Sequence, residues 1–188
     1  MTKRIVGIGG ALRPGSSTEK SLQLSLEIAN QLGAHTQIFT GSDIDLPLYA
    51  PENTARSPAA NRLVNEMRQA DALIIASPAY HGGLSGAIKN ALDYVEDLRE
   101  DTRSYFSGRA VGCIITAAGQ QASVTALTSL RSIVHSLRGW PTPLGVTINT
   151  AQPVFDGAGR CIQAAIQSSL QTMVEEVIQF GREPALRE

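Results

Sequence analysis

Short apolar segments rich in Val and Ile alternate along this chain with longer stretches of helical periodicity. Four of these segments are almost continuously apolar: 4–10, 71–77, 110–116 and 144–149. Such continuity is typical of strands that are buried on both faces of a parallel sheet. A weaker segment, 35–41, is predicted as a strand nearer the sheet edge. Helical patterns lie between and after the strands, over 19–32, 57–70, 86–98, 122–139 and 162–180.

This alternation predicts an α/β fold with right-handed crossovers and with helices on both faces of the sheet. Five strands favour the flavodoxin-like strand order 2-1-3-4-5 over the six-stranded dinucleotide-binding arrangement. The length of 188 residues suits one well-buried core, so a single domain over residues 1–188 is predicted. In such a sheet a ligand is expected at the carboxyl ends of the strands, between the first and third strands, where the strand order reverses.

Charge and composition exclude several classes of partner. The net charge is −1, whereas a protein that binds nucleic acid needs a basic surface. No apolar run approaches the roughly 20 residues that span a bilayer, and the first one is too short for a signal peptide. Cys113 and Cys161 show no metal-ligand spacing, and Cys113 is predicted as a buried thiol. We therefore expect a cytoplasmic protein without a nucleic-acid partner, a membrane partner or a metal site.

The loop after the first strand, GGALRPGSST, has the composition of an anion-binding loop. It lacks the third glycine of the dinucleotide signature and the Gly-Lys-Ser/Thr sequence of nucleoside triphosphate loops. Its donors, just before a predicted helix, are Arg13, Ser16, Ser17 and Thr18. Together with the helix N–H groups, they suit a terminal phosphate monoester. The alternative is that Ser16 and Glu19 form a capping box, which begins a helix without any ligand.

Two further loops should lie at the same edge of the sheet: SPAYHGGLSG after the third strand and TAAGQQAS after the fourth. A turn is expected after Pro78, and the adjacent pair Gly82-Gly83 would let the backbone approach a flat ligand. Taken alone, Tyr80 is equally compatible with a half-buried core residue, and His81 with a surface histidine. His135 falls within a helical pattern and needs no function.

Read together, the first two loops resemble the NADPH-dependent FMN reductase family of flavodoxin-like proteins. The first family motif, roughly G-S-L-R-x-x-S-x-N, is matched by GALRPGSST, with Ala11 for the serine and Thr18 for the asparagine. The second, roughly S-P-x-Y-x-G-x-x-S-G-x-L-K-N-A-L-D-W, is matched by SPAYHGGLSGAIKNALDY, with Ile88 for leucine and Tyr94 for tryptophan. The resemblance covers the first through fourth strands, whereas the C-terminal third matches only in pattern.

The resemblance implies FMN as cofactor, NADPH or NADH as electron donor, and free flavin, a quinone or another small molecule as acceptor. It assigns the FMN phosphate to Arg13, Ser16 and Thr18, and Ser17 is added as a neighbouring hydroxyl. It assigns the flavin ring to Pro78, Ala79, Tyr80, His81 and Gly82, and a further flavin contact to Ala118 and Gly119. The missing hydroxyl at Ala11 favours a flavin that is held weakly and exchanges. A homodimer or homotetramer is also implied.

No side chain is predicted to be catalytic, because hydride transfer from nicotinamide to flavin is the chemistry of the cofactors themselves. Two rival functions stay open at this stage. One is an FMN electron carrier without its own NAD(P)H site, although such carriers usually present an acidic face that this balanced charge does not suggest. The other is a non-redox protein that binds a phosphate ligand. Arg99 and Arg103 could contact the 2′-phosphate of NADPH, but a solvated charged run over 96–104 is the favoured interpretation.

Overall fold

The structure, a computed structural model, describes residues 2–180; position 1 and positions 181–188 of the predicted domain lie outside the described residues. The elements follow one another as β1 Arg4–Gly9, α1 Ser17–Gln31, β2 His35–Phe39, α2 Pro58–Gln69, β3 Ala72–Tyr80, β4 Gly83–Leu84, α3 Gly86–Asp93, β5 Ala110–Ala117, α4 Gln120–Ser136, β6 Trp140–Pro141, β7 Val146–Asn149 and α5 Ala164–Gln179. Short 3-10 helices lie at Gly41–Asp43 and Tyr94–Leu98.

The strands form one sheet with the order β2-β1-β3-β5-β6, in which β4 pairs with β3 and β7 pairs with β5. Every pairing is parallel except the antiparallel pairing of β3 with β4. If β6 and β7 together take the fifth place, the strand order is that of a flavodoxin. The predicted α/β fold with a flavodoxin-like parallel sheet is therefore confirmed. The predicted count of five strands is wrong, for two local reasons.

The first additional strand arises because β3 continues to Tyr80 and then folds back on itself. Tyr80 pairs with Gly83 across a two-residue turn. The two turn residues, His81 and Gly82, have φ values of 52° and 81°, which are the left-handed conformations that a type I′ hairpin turn requires. The turn that was expected after Pro78 therefore lies two residues later, after Tyr80.

The second additional strand arises because the chain leaves the sheet between β6 and β7. Pro143 has no N–H to donate, and the N–H of Leu144 donates to the Glu176 carboxylate at 2.9 Å instead of to a neighbouring strand. Gly145 packs so closely on α4 that a Cβ there would lie 2.8 Å from the Leu127 side chain. The predicted strand over 144–149 is thus confined to β7, and β6 is a separate short strand that lies before the predicted start.

Helices cover both faces of the sheet, as predicted. One apolar cluster joins the sheet to α1 and α5, and the other joins it to α2, α3 and α4. The predicted helix stripes are buried in these clusters: Leu22, Leu26 and Ala29; Leu63 and Met67; Ile88, Leu92 and Val95. The third predicted helix is α-helical only to Asp93 and continues as a 3-10 helix to Leu98.

Cys113 lies in the middle of β5 and is fully buried. Burial raises the pKa of its thiol to about 12, so the thiol stays protonated at neutral pH. The predicted buried thiol is therefore confirmed. Among residues 2–180, no helix combines the length and the apolar character that crossing a membrane requires.

The charged segment 96–104 is only partly the solvated run that was predicted. The Asp97 carboxylate accepts two hydrogen bonds from the Arg56 guanidinium, at 2.7 and 2.8 Å, and so anchors the chain that leads into α2. Arg103 contacts the carbonyl of Ala70 at 3.4 Å, just before β3. Arg103 therefore lies at the amino edge of the sheet, opposite the edge where a ligand is expected.

Candidate functional site

A cavity of about 510 Å³ opens at the carboxyl ends of β1, β3 and β5. Its walls come from the β1–α1 loop with the first turn of α1, from the end of β3, and from the residues that follow β5 and β7. The lining residues are Ala11, Leu12, Arg13, Ser16, Ser17, Thr18, Pro78, Ala79, Tyr80, Thr116, Ala117, Ala118 and Thr150. Because β1 and β3 are neighbours in the sheet, the cavity lies where the strand order reverses, which is where open α/β sheets bind ligands.

Most of the residues that the sequence pointed to come together in this cavity. They are Arg13, Ser16, Ser17, Thr18, Pro78, Ala79, Tyr80 and Ala118. His81, Gly82 and Gly119 are outside the lining. His81 and Gly82 form the hairpin turn beyond Tyr80, and Gly119 is the N-cap of α4. The structure thus gives these three residues a backbone role next to the cavity.

Several lining residues were not predicted. Thr116 and Ala117 end β5 at the carboxyl edge, so their position in a predicted strand could have included them. Leu12 and Ala11 belong to the first motif but offered no donor. Thr150 follows β7, and its N–H donates to the carbonyl of Ala117 at 2.8 Å. Nothing in the sequence pattern distinguishes Thr150, because only the pairing of β7 with β5 brings it to the cavity.

The first turn of α1 confirms Ser16 as the N-cap but not the full capping box, and it leaves several donors free for a ligand. The Ser16 Oγ accepts from the Glu19 N–H at 3.2 Å, and the Glu19 carboxylate accepts from the Gly15 N–H at 2.6 Å. In a standard capping box the carboxylate would instead bind the N–H of the cap residue itself. The cap uses only a lone pair of the Ser16 hydroxyl, whose own proton is still available for an anion.

Two side-chain donors near the start of α1 have no partner among the described residues, and a third, Thr18, shares one hydrogen bond with Thr116. Within residues 2–180, the Arg13 guanidinium and the Ser17 hydroxyl form no hydrogen bond or ion pair, and both line the cavity. The Thr18 and Thr116 hydroxyls lie 2.6 Å apart, so one proton joins them and the other can point into the cavity. First-turn N–H groups of a helix have no partner within the helix. A guanidinium, hydroxyls and helix N–H groups are the donor set that a phosphate monoester needs, so the residues present fit the FMN phosphate.

Ser85 connects the β1–α1 loop to the β3–β4 hairpin. Its Oγ donates to the carbonyl of Gly10 at 2.7 Å and accepts from the Ile88 N–H at 3.2 Å, as the N-cap of α3. Its own N–H donates to the Ser77 Oγ at 3.1 Å. A Cβ at Gly10 would lie 2.6 Å from the Ser85 Oγ, so only glycine allows this approach. Ser85 therefore fixes the spacing of the two loops that form the cavity.

The C-terminal half of the second motif stabilises the fold and does not line the cavity. The Asn90 amide donates to the carbonyls of Leu46 and Pro47, at 3.2 and 2.9 Å, and accepts from the Tyr49 N–H at 2.8 Å. The Tyr94 hydroxyl donates to the Pro47 carbonyl at 3.0 Å. These bonds hold the long irregular segment between β2 and α2 against α3.

The cavity carries one charged side chain, Arg13. Its described lining has no carboxylate, imidazole or thiol, and the exposed Tyr80 ring stands at its rim. Across residues 2–180, no three His, Cys, Asp or Glu side chains are grouped as metal ligands would be. The side chains of this cavity are thus suited to holding an anionic, flat ligand, and they offer little for acid–base chemistry.

This fold and this cavity define a flavodoxin-like protein with a candidate ligand site at the β1/β3 edge. Residues 3–153 match the family model described as NADPH-dependent FMN reductase, so the chain belongs to that family. An NAD(P)H-dependent FMN reductase of Pseudomonas aeruginosa is 30% identical over 175 residues, which cover 92% of this chain and 91% of that protein. An FMN-dependent NADPH-azoreductase of Staphylococcus saprophyticus is 32% identical over 120 residues, covering 63% and 60% of the two chains.

The fold is shared with a solved structure of an NADH:FMN oxidoreductase, which superposes with a TM-score of 0.72 over 100% of this chain and 95% of that chain, at 22% identity. The resemblance that the two motifs carry is therefore confirmed. The predicted class of protein is confirmed as well: an oxidoreductase that uses FMN and takes electrons from NAD(P)H.

Proposed function

We propose that this chain is an NAD(P)H-dependent FMN reductase whose electrons go on to free flavin, a quinone, an azo compound or another small acceptor. When bound, FMN supplies the redox chemistry, taking up a hydride from NAD(P)H and releasing electrons to the acceptor. The observation that carries the proposal is one cavity in which unengaged phosphate donors at the start of α1 adjoin an open wall formed by the end of β3.

Each wall of the cavity has its own part in this proposal. Arg13 and the hydroxyls of Ser16, Ser17 and Thr18 bind the phosphate, and the Thr116 hydroxyl fixes the orientation of Thr18. Pro78, Ala79 and Tyr80 lie along the flavin ring, and Ala118 contacts it from the β5 side. His81, Gly82 and Gly119 hold the hairpin turn and the start of α4 in place. The protein binds and orients; no side chain needs to transfer a proton.

The proposal extends to the state of the protein in the cell. A homodimer or homotetramer is supported by apolar side chains left exposed at the cavity rim, Leu12 at 49% and Tyr80 at 59%, which a second copy would cover. A cytoplasmic location is supported by the two unpaired cysteines, Cys113 and Cys161. We take the whole chain, 1–188, as one domain with small-molecule partners and with neither nucleic acid nor membrane as a partner.

The direct test uses the purified protein. We expect flavin absorbance after reconstitution with FMN, and consumption of NADPH or NADH that depends on FMN. Failure to bind FMN would contradict the proposal. Bound FMN without turnover of either pyridine nucleotide would favour the electron carrier that has no NAD(P)H site of its own.

Ser85→Ala is expected to lower the free energy of unfolding by about 1 kcal/mol, through loss of the α3 cap, and to weaken binding of FMN and riboflavin alike. The second effect follows because Ser85 fixes the spacing of the two cavity loops. Denaturant unfolding and flavin fluorescence titrations measure the two effects.

Ser57→Ala is the matched control, because Ser57 caps α2 through the Ala60 N–H at 3.2 Å and its side chain forms no hydrogen bond to either cavity loop. It should lower the stability by a similar amount and leave flavin affinity unchanged. If both variants bind flavin as the wild type does, Ser85 is a cap and not a positioning residue.

A further inference from the structure

Glu19 places a carboxylate immediately behind the phosphate-binding loop. One carboxylate oxygen, Oε2, accepts from the Gly15 N–H at 2.6 Å. The other, Oε1, is 3.4 Å from both the Thr40 hydroxyl and the Gln23 amide. In the part of the chain that the structure describes, no Lys, Arg or His side chain forms an ion pair with Glu19, and the adjacent Lys20 is directed at the Phe155 ring, 5.9 Å from its centroid.

This carboxylate has two opposing effects on the loop. It satisfies the Gly15 N–H and complements the positive end of α1, so it orders the loop before any ligand arrives. It also takes a backbone donor that lies two residues from Arg13 and from Ser17, and it places there a negative charge that no cationic side chain of residues 2–180 neutralises. A phosphate monoester carries close to two negative charges at neutral pH and is repelled by that charge.

We propose that Glu19 limits the affinity of this loop for the FMN phosphate, so that FMN is an exchangeable ligand of this enzyme. The inference rests on the proposed function and adds to it a specific determinant of flavin exchange. The loop is preorganised and holds enough donors for the phosphate, but Glu19 opposes the dianion. The riboflavin part of FMN, which has no phosphate, does not experience this opposition.

Glu19→Gln tests the proposal because glutamine keeps an acceptor for the Gly15 N–H and removes the charge. We expect the Kd for FMN to fall on the order of three- to tenfold at low ionic strength, with the effect shrinking as salt is added. The Kd for riboflavin should not change. Fluorescence titrations of the apoprotein with each flavin give both values, independently of any turnover.

Two further variants separate the local charge from other causes. Glu27→Gln makes the same change of net charge on the same helix, about 12 Å further along it, and should not alter FMN binding. Glu19→Asp keeps the charge but shortens the side chain, and should bind FMN no more tightly than the wild type. A folded Glu19→Gln protein would show a cooperative unfolding curve like that of the wild type.

The outcomes distinguish this inference from the function on which it rests. Wild-type protein that binds no FMN overturns the proposed function. If the wild-type protein binds FMN and the Glu19→Gln variant binds it equally well or more weakly, only the proposed role of Glu19 is overturned. The proposed function then stands. Equal tightening of FMN and riboflavin, or tightening by Glu27→Gln or Glu19→Asp, also overturns it.

Discussion

Arg13→Ala is expected to weaken FMN binding by about 1.5–3 kcal/mol, roughly a ten- to 150-fold rise in Kd, because it removes hydrogen bonds to a charged phosphate. Riboflavin binding and the free energy of unfolding should not change. The Arg13 side chain is exposed and forms no hydrogen bond or ion pair within residues 2–180, so the folded apoprotein loses nothing with it. Titration of the apoprotein with each flavin, followed by fluorescence, measures the difference.

Arg99→Ala provides the matched control for charge. Arg99 is an exposed arginine whose guanidinium pairs with Glu96 and Glu100, and its loss changes the net charge equally. FMN affinity should be the same in Arg99→Ala as in the wild type. If Arg13→Ala also binds FMN like the wild type, the loop acts only as the start of α1; if FMN and riboflavin weaken together, Arg13 supports the loop rather than the phosphate.

The expected opposite effects at Arg13 and Glu19 define how the loop works. Among residues 2–180, Arg13 provides a cation that has no side-chain or backbone partner, and Glu19 provides an anion that has no cationic partner. They lie on the two sides of Gly15, Arg13 in the β1–α1 loop and Glu19 in the first turn of α1. An affinity set by opposing charges is sensitive to ionic strength. In the proposed function, such a loop would hold the phosphate specifically and still release it.

Local sequence patterns predicted the sheet because buried parallel strands have a simple signature. The four continuous apolar segments correspond to β1, β3, β5 and β7, and the weaker one became the edge strand β2. The hairpin was missed because its cause is not hydrophobic periodicity. Pro78 and Ala79 continue β3, and the reversal depends on left-handed conformations at His81 and Gly82. A turn of that type requires positive φ angles at both turn residues. In the sequence, only the pair Gly82-Gly83 suggested such a conformation.

The candidate site was predictable where donors are close in sequence and not where the fold brings them together. Arg13, Ser16, Ser17 and Thr18 lie in one loop, and their chemistry was visible at once. Thr116 contacts Thr18 across 98 positions of the chain, and Thr150 reaches the cavity through a strand pairing. The bond of Glu19 to Gly15, rather than to Ser16, depends on the dihedral angles of the loop. None of these contacts has a local sequence signal.

Arg109 is the clearest case of a residue whose role only the structure shows. Arg109 immediately precedes β5 and is almost fully buried, at 1% exposure. Its guanidinium donates to the carbonyls of Arg68 and Ala70, each at 2.9 Å, and to that of Tyr105 at 2.6 Å. Arg68 and Ala70 end α2, so a cation caps the negative end of that helix. Burial lowers the pKa of Arg109 to about 10, which still leaves the side chain charged at neutral pH.

Arg109→Met is expected to lower the free energy of unfolding by about 2–4 kcal/mol, because several carbonyls at the amino edge of the sheet lose their donor at once. Methionine retains much of the apolar volume of arginine, so the loss of stability measures the contribution of the hydrogen bonds. Urea unfolding followed by circular dichroism measures it. Arg99→Met, on an exposed side chain with surface ion pairs, should change the stability by less than about 0.5 kcal/mol.

The same variant separates stability from binding. Arg109 lies at the amino edge of the sheet, opposite the cavity, so folded Arg109→Met should bind FMN with the wild-type Kd. Saturating FMN should then raise the unfolding free energy of wild type and variant by equal amounts, because a ligand that binds only the native state adds a stabilisation that depends only on its Kd and concentration.

A loss of stability below about 1 kcal/mol would show that water replaces the guanidinium at these carbonyls. A fall in FMN affinity comparable to that of Arg13→Ala would show that the two edges of the sheet are coupled.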